Sequence, residues 1–420
     1  MKSRILFIDH NIDIAGGQKS LLALIDSIDR SQFELLAAAP REAGAFMEEL
    51  TKRSVPIVDI GFQRRKVSRR NPLTRAAGAL MSAVDAGVSV FRLAALCRRN
   101  KVDVVHANSI GAALIASLAS LLTPMKIAVR VRSGLTYSDH GVLDMIVLSR
   151  AEIVLCNSYY VRETIAERLS RKGRAFRERI LAKCVVIYNP LPWETIREAR
   201  RMAKARGKPT RLRNGVLNIG VVGRITERKQ QHVAVEAMSL LAGEGVRAHL
   251  WFLGAPSPLD GGRYAREVES LVKERGISSY VSSPGFIDDI LSWLAGLDIV
   301  LMPSIAEPLA RAIFESQAMG ALVIAANDAG NAELITHNEN GLLFRPEDPF
   351  DLAVKIRLAL DESERRRLEW RALARVARVF APENTVEREA ALLRRIAARG
   401  PRNLRRARSA RLVAEELSGR

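Results

Sequence analysis

An α/β protein made of two doubly wound parallel-sheet domains is what this sequence predicts, and three observations predict it. Short apolar runs alternate with longer helical patterns in two successive series, as expected for parallel strands covered by helices on both faces. A break at Asn189-Pro190-Leu191-Pro192, followed by a basic stretch, separates the two series. The length, 420 residues, exceeds one average domain, and 48% apolar residues give each of two domains a sizeable core.

The first series opens with a strand at Arg4–Asp9, a Gly16-Gly17 turn and a helix over about Gln18–Ile28, with Leu21, Leu22 and Ile25 on one face. Further strands are expected at Phe33–Ala38, Val55–Val58, Val102–His106, Ile127–Val131, Ile153–Cys156 and Val185–Tyr188. The stretch Trp193–Asn214, with Gly207-Lys208-Pro209, reads as a linker that is helical at its start. The second series places strands at Leu217–Val222, Ala248–Leu253, Val281–Ser283, Ile299–Met302, Leu322–Ala325 and Gly341–Phe344, and a last helix at Glu383–Ala398. The expected divisions are a domain at 1–190, a basic linker at 191–214, a domain at 215–382, a terminal helix at 383–400 and a basic tail at 401–420. Ligands of such sheets sit at the C-terminal ends of the strands.

Composition excludes several classes. The four apolar residues Ile5–Ile8 are too few for a secretory signal. The uncharged run Ala107–Met125 contains Asn108, three serines, Thr123 and Pro124, so it reads as a buried helix rather than a membrane span. Cys97, Cys156 and Cys184 offer neither a disulfide framework nor zinc spacing, and a reduced, cytoplasmic compartment is expected. The net charge is +19, distributed as +18 over 1–214, −5 over 215–385 and +6 over 386–420. That asymmetry points the first half toward something anionic. Phe62–Arg75 carries six cations and no acid and leads into the apolar stretch Ala76–Phe91, a pattern that suits peripheral contact with an anionic membrane surface as well as it suits a solvated loop before a core helix.

No P-loop, no G-x-G-x-x-G after the first strand, no H-E-x-x-H, no Cys/His cluster and no G-x-S-x-G is present. What remains are turns and helix starts suited to phosphate. Gly16-Gly17 lets a ligand approach the backbone at a helix N-terminus, although a tight turn needs glycine anyway. In Gly223-Arg224-Ile225-Thr226-Glu227-Arg228-Lys229, Arg224 follows a strand and Lys229 is expected to open the next helix, a pair of cations able to clamp a diphosphate. In Glu307-Pro308-Leu309-Ala310-Arg311-Ala312-Ile313-Phe314-Glu315, Pro308 suits the first turn of a helix. Eight fully helical steps would then separate the two acids by about 12 Å, too far for a glycosidase acid pair and better suited to two hydroxyl-bearing groups of one extended ligand. His106 ends an apolar strand and reads as a buried, hydrogen-bonded histidine rather than a catalytic one.

The ordered set of Gly16-Gly17, G-R-x4-K (Gly223–Lys229) and E-x7-E (Glu307, Glu315) resembles retaining glycosyltransferases of family four, whose fold, GT-B, sets two Rossmann-like domains facing each other across a cleft. Supporting segments are Val104–Ala107, Cys156-Asn157-Ser158, Ile187-Tyr188-Asn189, Gly285-Phe286, Gly330–Leu334 and Asn340–Leu343, and the similarity runs from about Ile5 to Ile396. The resemblance implies transfer of a sugar, with retention, from a nucleotide-sugar donor to a glycan or lipid-linked acceptor, in envelope polysaccharide or glycolipid synthesis. It implies Arg224 and Lys229 on the donor diphosphate, Glu315 on the ribose and Glu307 near the transferred sugar. Phe286 and the backbone of Leu309, Ala310 and Arg311 would also meet the donor, with Gly16 and Gly17 approaching from the first domain. No metal and no other cofactor is implied, since the two cations neutralise the leaving group.

Two departures stand out. Many relatives carry a histidine near the end of the fourth or fifth strand, where this sequence has Arg132, a candidate sugar or phosphate contact. Pro308-Leu309-Ala310 replaces a glycine-rich loop, which alters the donor pocket. Alternatives on the same fold are a nucleotide-sugar 2-epimerase or a glycan phosphorylase. A nucleic-acid-binding protein is the remaining alternative; only 5% aromatics and no binding motif count against it, so no nucleic acid partner is expected.

Overall fold

The computed structural model describes residues 2–40, 44–61, 72–134, 141–206, 212 and 215–398, with backbone alone for 72–83. The basic segment 62–71, most of the linker from 207 and the tail 401–420 lie outside the described residues. The chain forms two compact units: one takes the chain through Pro190 and again from Pro382, and the other is Leu191–Ala381.

The sheet of the first unit comprises β1 (Ser3–Ile8), β2 (Phe33–Ala39), β3 (Ile57–Asp59), β4 (Val104–Ala107), β5 (Lys126–Val131), β6 (Ile153–Cys156) and β7 (Cys184–Val186), all parallel, in the order β3-β2-β1-β4-β5-β6-β7. Its helices are α1 (Gly16–Ser27), α2 (Ala45–Lys52), α3 (Pro72–Arg99), α4 (Ile110–Ala119), α5 (Gly141–Arg150), α6 (Tyr159–Arg168) and α7 (Arg174–Leu181). Alternate side chains of a strand point to opposite faces. Leu6 and Ile8 accordingly join Leu93, Ala112, Ala116 and Val147 under α3, α4 and α5. Ile5 and Phe7 join Leu21, Leu24 and Ile25 of α1 on the other face. The uncharged run expected to be a buried helix is mostly α4, which Ser109 caps by accepting a hydrogen bond from the Ala112 N–H at 3.2 Å.

The second unit begins with α8 (Trp193–Arg206), inside the stretch read as a linker. The indole of Trp193 donates to the Phe380 carbonyl at 2.8 Å and Arg200 donates to the Ala318 carbonyl at 2.9 Å, so α8 is fastened to this unit. Its sheet contains β8 (Leu217–Val222), β9 (Ala248–Leu253), β10 (Val281–Gly285), β11 (Ile299–Met302), β12 (Leu322–Ala326) and β13 (Leu342–Phe344), parallel and in the order β10-β9-β8-β11-β12-β13. The helices are α9 (Gln231–Gly243), α10 (Arg263–Glu274), α11 (Ile290–Leu294), α12 (Arg311–Met319), α13 (Ala329–Leu334), α14 (Pro349–Leu358) and α15 (Glu362–Val379). Both sheets therefore reverse direction beside their first strand, between β1 and β4 and between β8 and β11. That reversal opens a crevice at the strands' C-terminal ends.

The expected terminal helix is α16 (Val386–Ala398), and it packs in the first unit rather than standing apart. Val386, Ala390, Leu393 and Ile396 complete the core that also holds Ile5 and Phe7. Glu389 lies on the same buried face, which periodicity alone would make a fault. Its carboxylate takes Arg130 Nη1 at 2.8 Å and His106 Nε2 at 2.9 Å. Arg130 also donates to the carbonyls of Ile187 at 2.9 Å and Tyr188 at 3.2 Å. Burial alone would raise the Glu389 carboxyl; the Arg130 charge and the His106 hydrogen bond and charge outweigh it and hold it down to about 2. His106 is thus a buried, hydrogen-bonded residue, as the sequence suggested.

Candidate functional site

In the second unit, the loops after β8, β11 and β12 meet at the crevice. After β8 comes Gly223 at φ +129°, a conformation that favours glycine, and a Cβ there would stand 3.3 Å from Lys229 Cε. Lys229 does not open the helix as the sequence suggested. It closes a 3-10 turn, Glu227–Lys229, and α9 starts only after Gln230 in the left-handed region. The tighter turn aims the lysine back across the crevice, where its Nζ donates to Glu307 Oε2 at 2.8 Å. Both side chains are largely buried, and Arg228 Nη1 adds a second cation 3.6 Å from the same oxygen. The sequence had passed over Arg228, although it sits inside the motif.

The loop carrying Glu307 also differs from expectation. The helix begins at Arg311, three residues after Pro308, so Pro308 lies in the loop and the run from Glu307 to Glu315 is only half helical. The 12 Å estimate therefore does not apply. The neighbouring elements cause this. The Ile305 N–H donates to the Arg228 carbonyl at 3.0 Å, the Ala306 N–H to Asp328 Oδ2 at 2.5 Å, and the Gly330 N–H to the Glu307 carbonyl at 2.9 Å. Asn331 Nδ2 ties the Ser304 carbonyl at 2.9 Å. These bonds hold Ala306 at φ +50°, a strained setting for a residue with a Cβ. A Cβ on Gly330 would lie 2.2 Å from the Pro308 carbonyl oxygen, so only glycine admits the loop there.

Leu309 and Ala310 are both buried, at 6% and 2% exposed. Among the described residues no acceptor takes the N–H of either one, and they lead into the N-terminus of α12, where the Ile313 N–H donates to the Ala310 carbonyl at 3.0 Å. One turn on, Arg311 grips Glu315 through Nη2 at 2.6 Å and Nε at 3.0 Å. Arg224 is exposed, and among the described residues its guanidinium has no ion-pair partner. Phe286 follows Gly285 (φ +87°) at the end of β10 and is 72% exposed. The structure thus joins Lys229 to Glu307 and Arg311 to Glu315, and leaves Arg224 and Phe286 open.

The first unit repeats the arrangement at its own crevice. Gly16 and Gly17 open α1, with the Ala15 N–H donating to Gln18 Oε1 at 3.2 Å. Gln18 Nε2 donates in turn to the buried Asp9 at 2.8 Å. Asn108, at the end of β4, donates to the same Asp9 oxygen, and its own carbonyl accepts from Arg132 Nη1 at 2.6 Å. Arg132 lies along Gly17, its Cδ 3.8 Å from where a Cβ would stand. The sequence had singled out Gly16, Gly17 and Arg132 but not the Asp9, Gln18 and Asn108 scaffold that holds them. Among the described residues no three His, Cys, Asp or Glu side chains gather around a metal-sized space, and no helix is long and apolar enough to cross a membrane.

Residues 208–375 match the family model of glycosyl transferases group 1. That stretch contains every second-unit residue of the candidate site, from Gly223 to Asn331. LpsE of Rhizobium meliloti, a lipopolysaccharide core biosynthesis glycosyltransferase, is 32% identical over 163 residues, 39% of this chain and 45% of LpsE. The 2-deoxystreptamine glucosyltransferase of Streptomyces kanamyceticus is 30% identical over 39% of this chain and 41% of its own length. The chain thus spans less than half the length of these curated relatives. The crystal structure of HepE from Anabaena, in complex with UDP, superposes with a TM-score of 0.74, covering 94% of this chain and all of that one at 20% identity. The α/β architecture of two Rossmann-like domains is the GT-B fold of such glycosyltransferase structures.

Proposed function

We propose that this protein transfers a sugar, with retained anomeric configuration and without a metal ion, from a nucleotide-sugar donor to a glycan or lipid-linked acceptor in envelope polysaccharide or glycolipid synthesis. The observation that carries the reading is the cationic crevice of the second unit. Lys229 is held at 2.8 Å from Glu307 across the β8–β11 reversal, with Arg224 exposed on the same loop. The relative named for lipopolysaccharide core synthesis and the UDP complex of HepE support the class of donor and product.

In this reading Arg224 and Lys229 hold the diphosphate and take up the charge that grows as the bond from the anomeric carbon to the phosphate oxygen breaks. The acceptor hydroxyl attacks that carbon on the face the nucleotide leaves, and its proton passes to the departing phosphate oxygen. No protein nucleophile is needed. Glu315 exchanges Arg311 for ribose hydroxyls, and Glu307 fixes the transferred sugar. The N–H groups of Leu309, Ala310 and Arg311 receive sugar or phosphate oxygens, and Phe286 flanks the nucleotide. In the first unit the N–H groups at Gly16-Gly17 and the Arg132 guanidinium supply further phosphate or sugar recognition.

The test is a screen of nucleotide sugars with EDTA present, reading slow nucleotide release without acceptor and the anomeric configuration of any product. Release from one donor and an unchanged configuration are expected. Complete loss in EDTA would refute the metal-free reading, and inversion would refute retention.

A further inference from the structure

The second half of α3 presents a surface that none of the proposed chemistry uses. Between residues 84 and 101 the exposed positions are Val84, Val88, Phe91, Arg92, Ala95, Arg98, Arg99 and Lys101. Half are apolar and half are cations, and the one acid of the span, Asp85, is only partly exposed. Val84 (58% exposed), Val88 and Phe91 (67% exposed) recur at helical spacing, so they form one stripe along the helix. At its lower end Arg98 Nη2 donates to the Leu122 carbonyl at 3.1 Å, which brings the exposed pair Leu121 and Leu122 beside the arginines.

The second unit offers an internal contrast. Phe350, Val354 and Leu358 make a similar exposed stripe on α14, but the charges on and beside that helix are neutralised in pairs. Arg345 meets Asp348 at 2.8 Å, Lys355 meets Asp351 at 3.4 Å, and Arg357 meets Glu244 through Nε at 2.7 Å. Apolar side chains alone do not select a lipid surface; apolar side chains beside a clear excess of cations do, here four exposed cations against the partly exposed Asp85.

We propose that the Val84–Val88–Phe91 stripe, with Arg92, Arg98, Arg99, Lys101 and the Leu121-Leu122 turn, seats the first unit on an anionic bilayer surface. The apolar side chains enter the headgroup boundary while the arginines and lysine remain among the lipid phosphates. An acidic protein could match the charges, but it would not need five exposed large apolar side chains beside them. The inference does not depend on the sugar-transfer reading, because the experiment below measures no turnover.

The full chain is sedimented with vesicles of phosphatidylcholine alone or with about one third phosphatidylglycerol, at low and high salt. Binding to the anionic vesicles only, weakened by salt, is expected. Each of Arg98→Ser and Arg99→Ser should weaken it about fivefold. The pair Val88→Ser and Phe91→Ser, both exposed and therefore tolerated by the fold, should weaken it at least tenfold without touching a charge. The matching pair Phe350→Ser and Val354→Ser on α14 should leave it unchanged. Failure to bind anionic vesicles at low salt would overturn the proposal and leave an acidic protein as the ligand class to test. Full binding by Val88→Ser/Phe91→Ser would equally overturn it, since adhesion would then come from the basic segments elsewhere in the chain.

Discussion

Replacing Glu389 by glutamine tests how the last helix is locked into the first unit. The carboxyl falls from an ordinary 4.5 to about 2 in the folded chain. At 1.36 kcal/mol per pH unit this contributes about 3 kcal/mol to stability at neutral pH. The folded form binds its proton later than the unfolded one, so the contribution is complete above about pH 4.5 and is lost as pH falls toward 2. Glu389→Gln should therefore cost about 3 kcal/mol at pH 7, in line with the 3–5 kcal/mol of an uncompensated buried charge, because Arg130 loses its carboxylate. It should also flatten the acid limb between those two values. All four tryptophans, Trp193, Trp251, Trp293 and Trp370, lie in the second unit, so their fluorescence does not report the change directly. Amide exchange on β4 and β5 does, and protection there should fall about a hundredfold. Replacing the whole triad with His106→Leu, Arg130→Met and Glu389→Leu should recover most of the loss, since no charge is then stranded. A cost below 1 kcal/mol for Glu389→Gln, or an unchanged acid limb, would refute the reasoning.

Arg224→Ala and Lys229→Ala should each remove a charge-assisted contact of about 1.5–3 kcal/mol and lower kcat/KM at least tenfold, with circular dichroism unchanged; normal transfer by both would remove the diphosphate assignment. Glu315→Gln should chiefly raise KM for the donor and Glu307→Gln chiefly lower kcat, as steady-state kinetics would read, and wild-type behaviour of Glu315→Gln would undo its ribose role. Gly330→Ala forces a methyl to within 2.2 Å of the Pro308 carbonyl oxygen, so thermal unfolding should show a loss of about 1–3 kcal/mol together with lower turnover.

Much of the fold was legible in the chain because most strands are buried on both faces and read as short apolar runs, the edge strands β3 and β10 excepted. Ile153–Cys156, Leu217–Val222, Ala248–Leu253 and Ile299–Met302 coincide with the expected strands, and the others agree within a few residues. Local chemistry likewise marked Gly16-Gly17, Arg224, Lys229, Glu307 and Glu315, since glycine and charge at strand ends are sequence features. What the chain could not express locally was which partners those side chains would meet. Pro308 favours a helix start, but the Ala306 N–H donating to Asp328 and the Gly330 N–H donating to the Glu307 carbonyl, partners some twenty residues apart, hold its loop open and delay the helix to Arg311. Lys229 reaches Glu307 across 78 positions of sequence, and the sheet order brings them together. Glu389 looks misplaced on the apolar face of α16 until β4 and β5 supply His106 and Arg130, more than 250 residues earlier. Periodicity is a property of neighbours along the chain, whereas the pairing of buried charges depends on strand order, and only the folded sheet sets that.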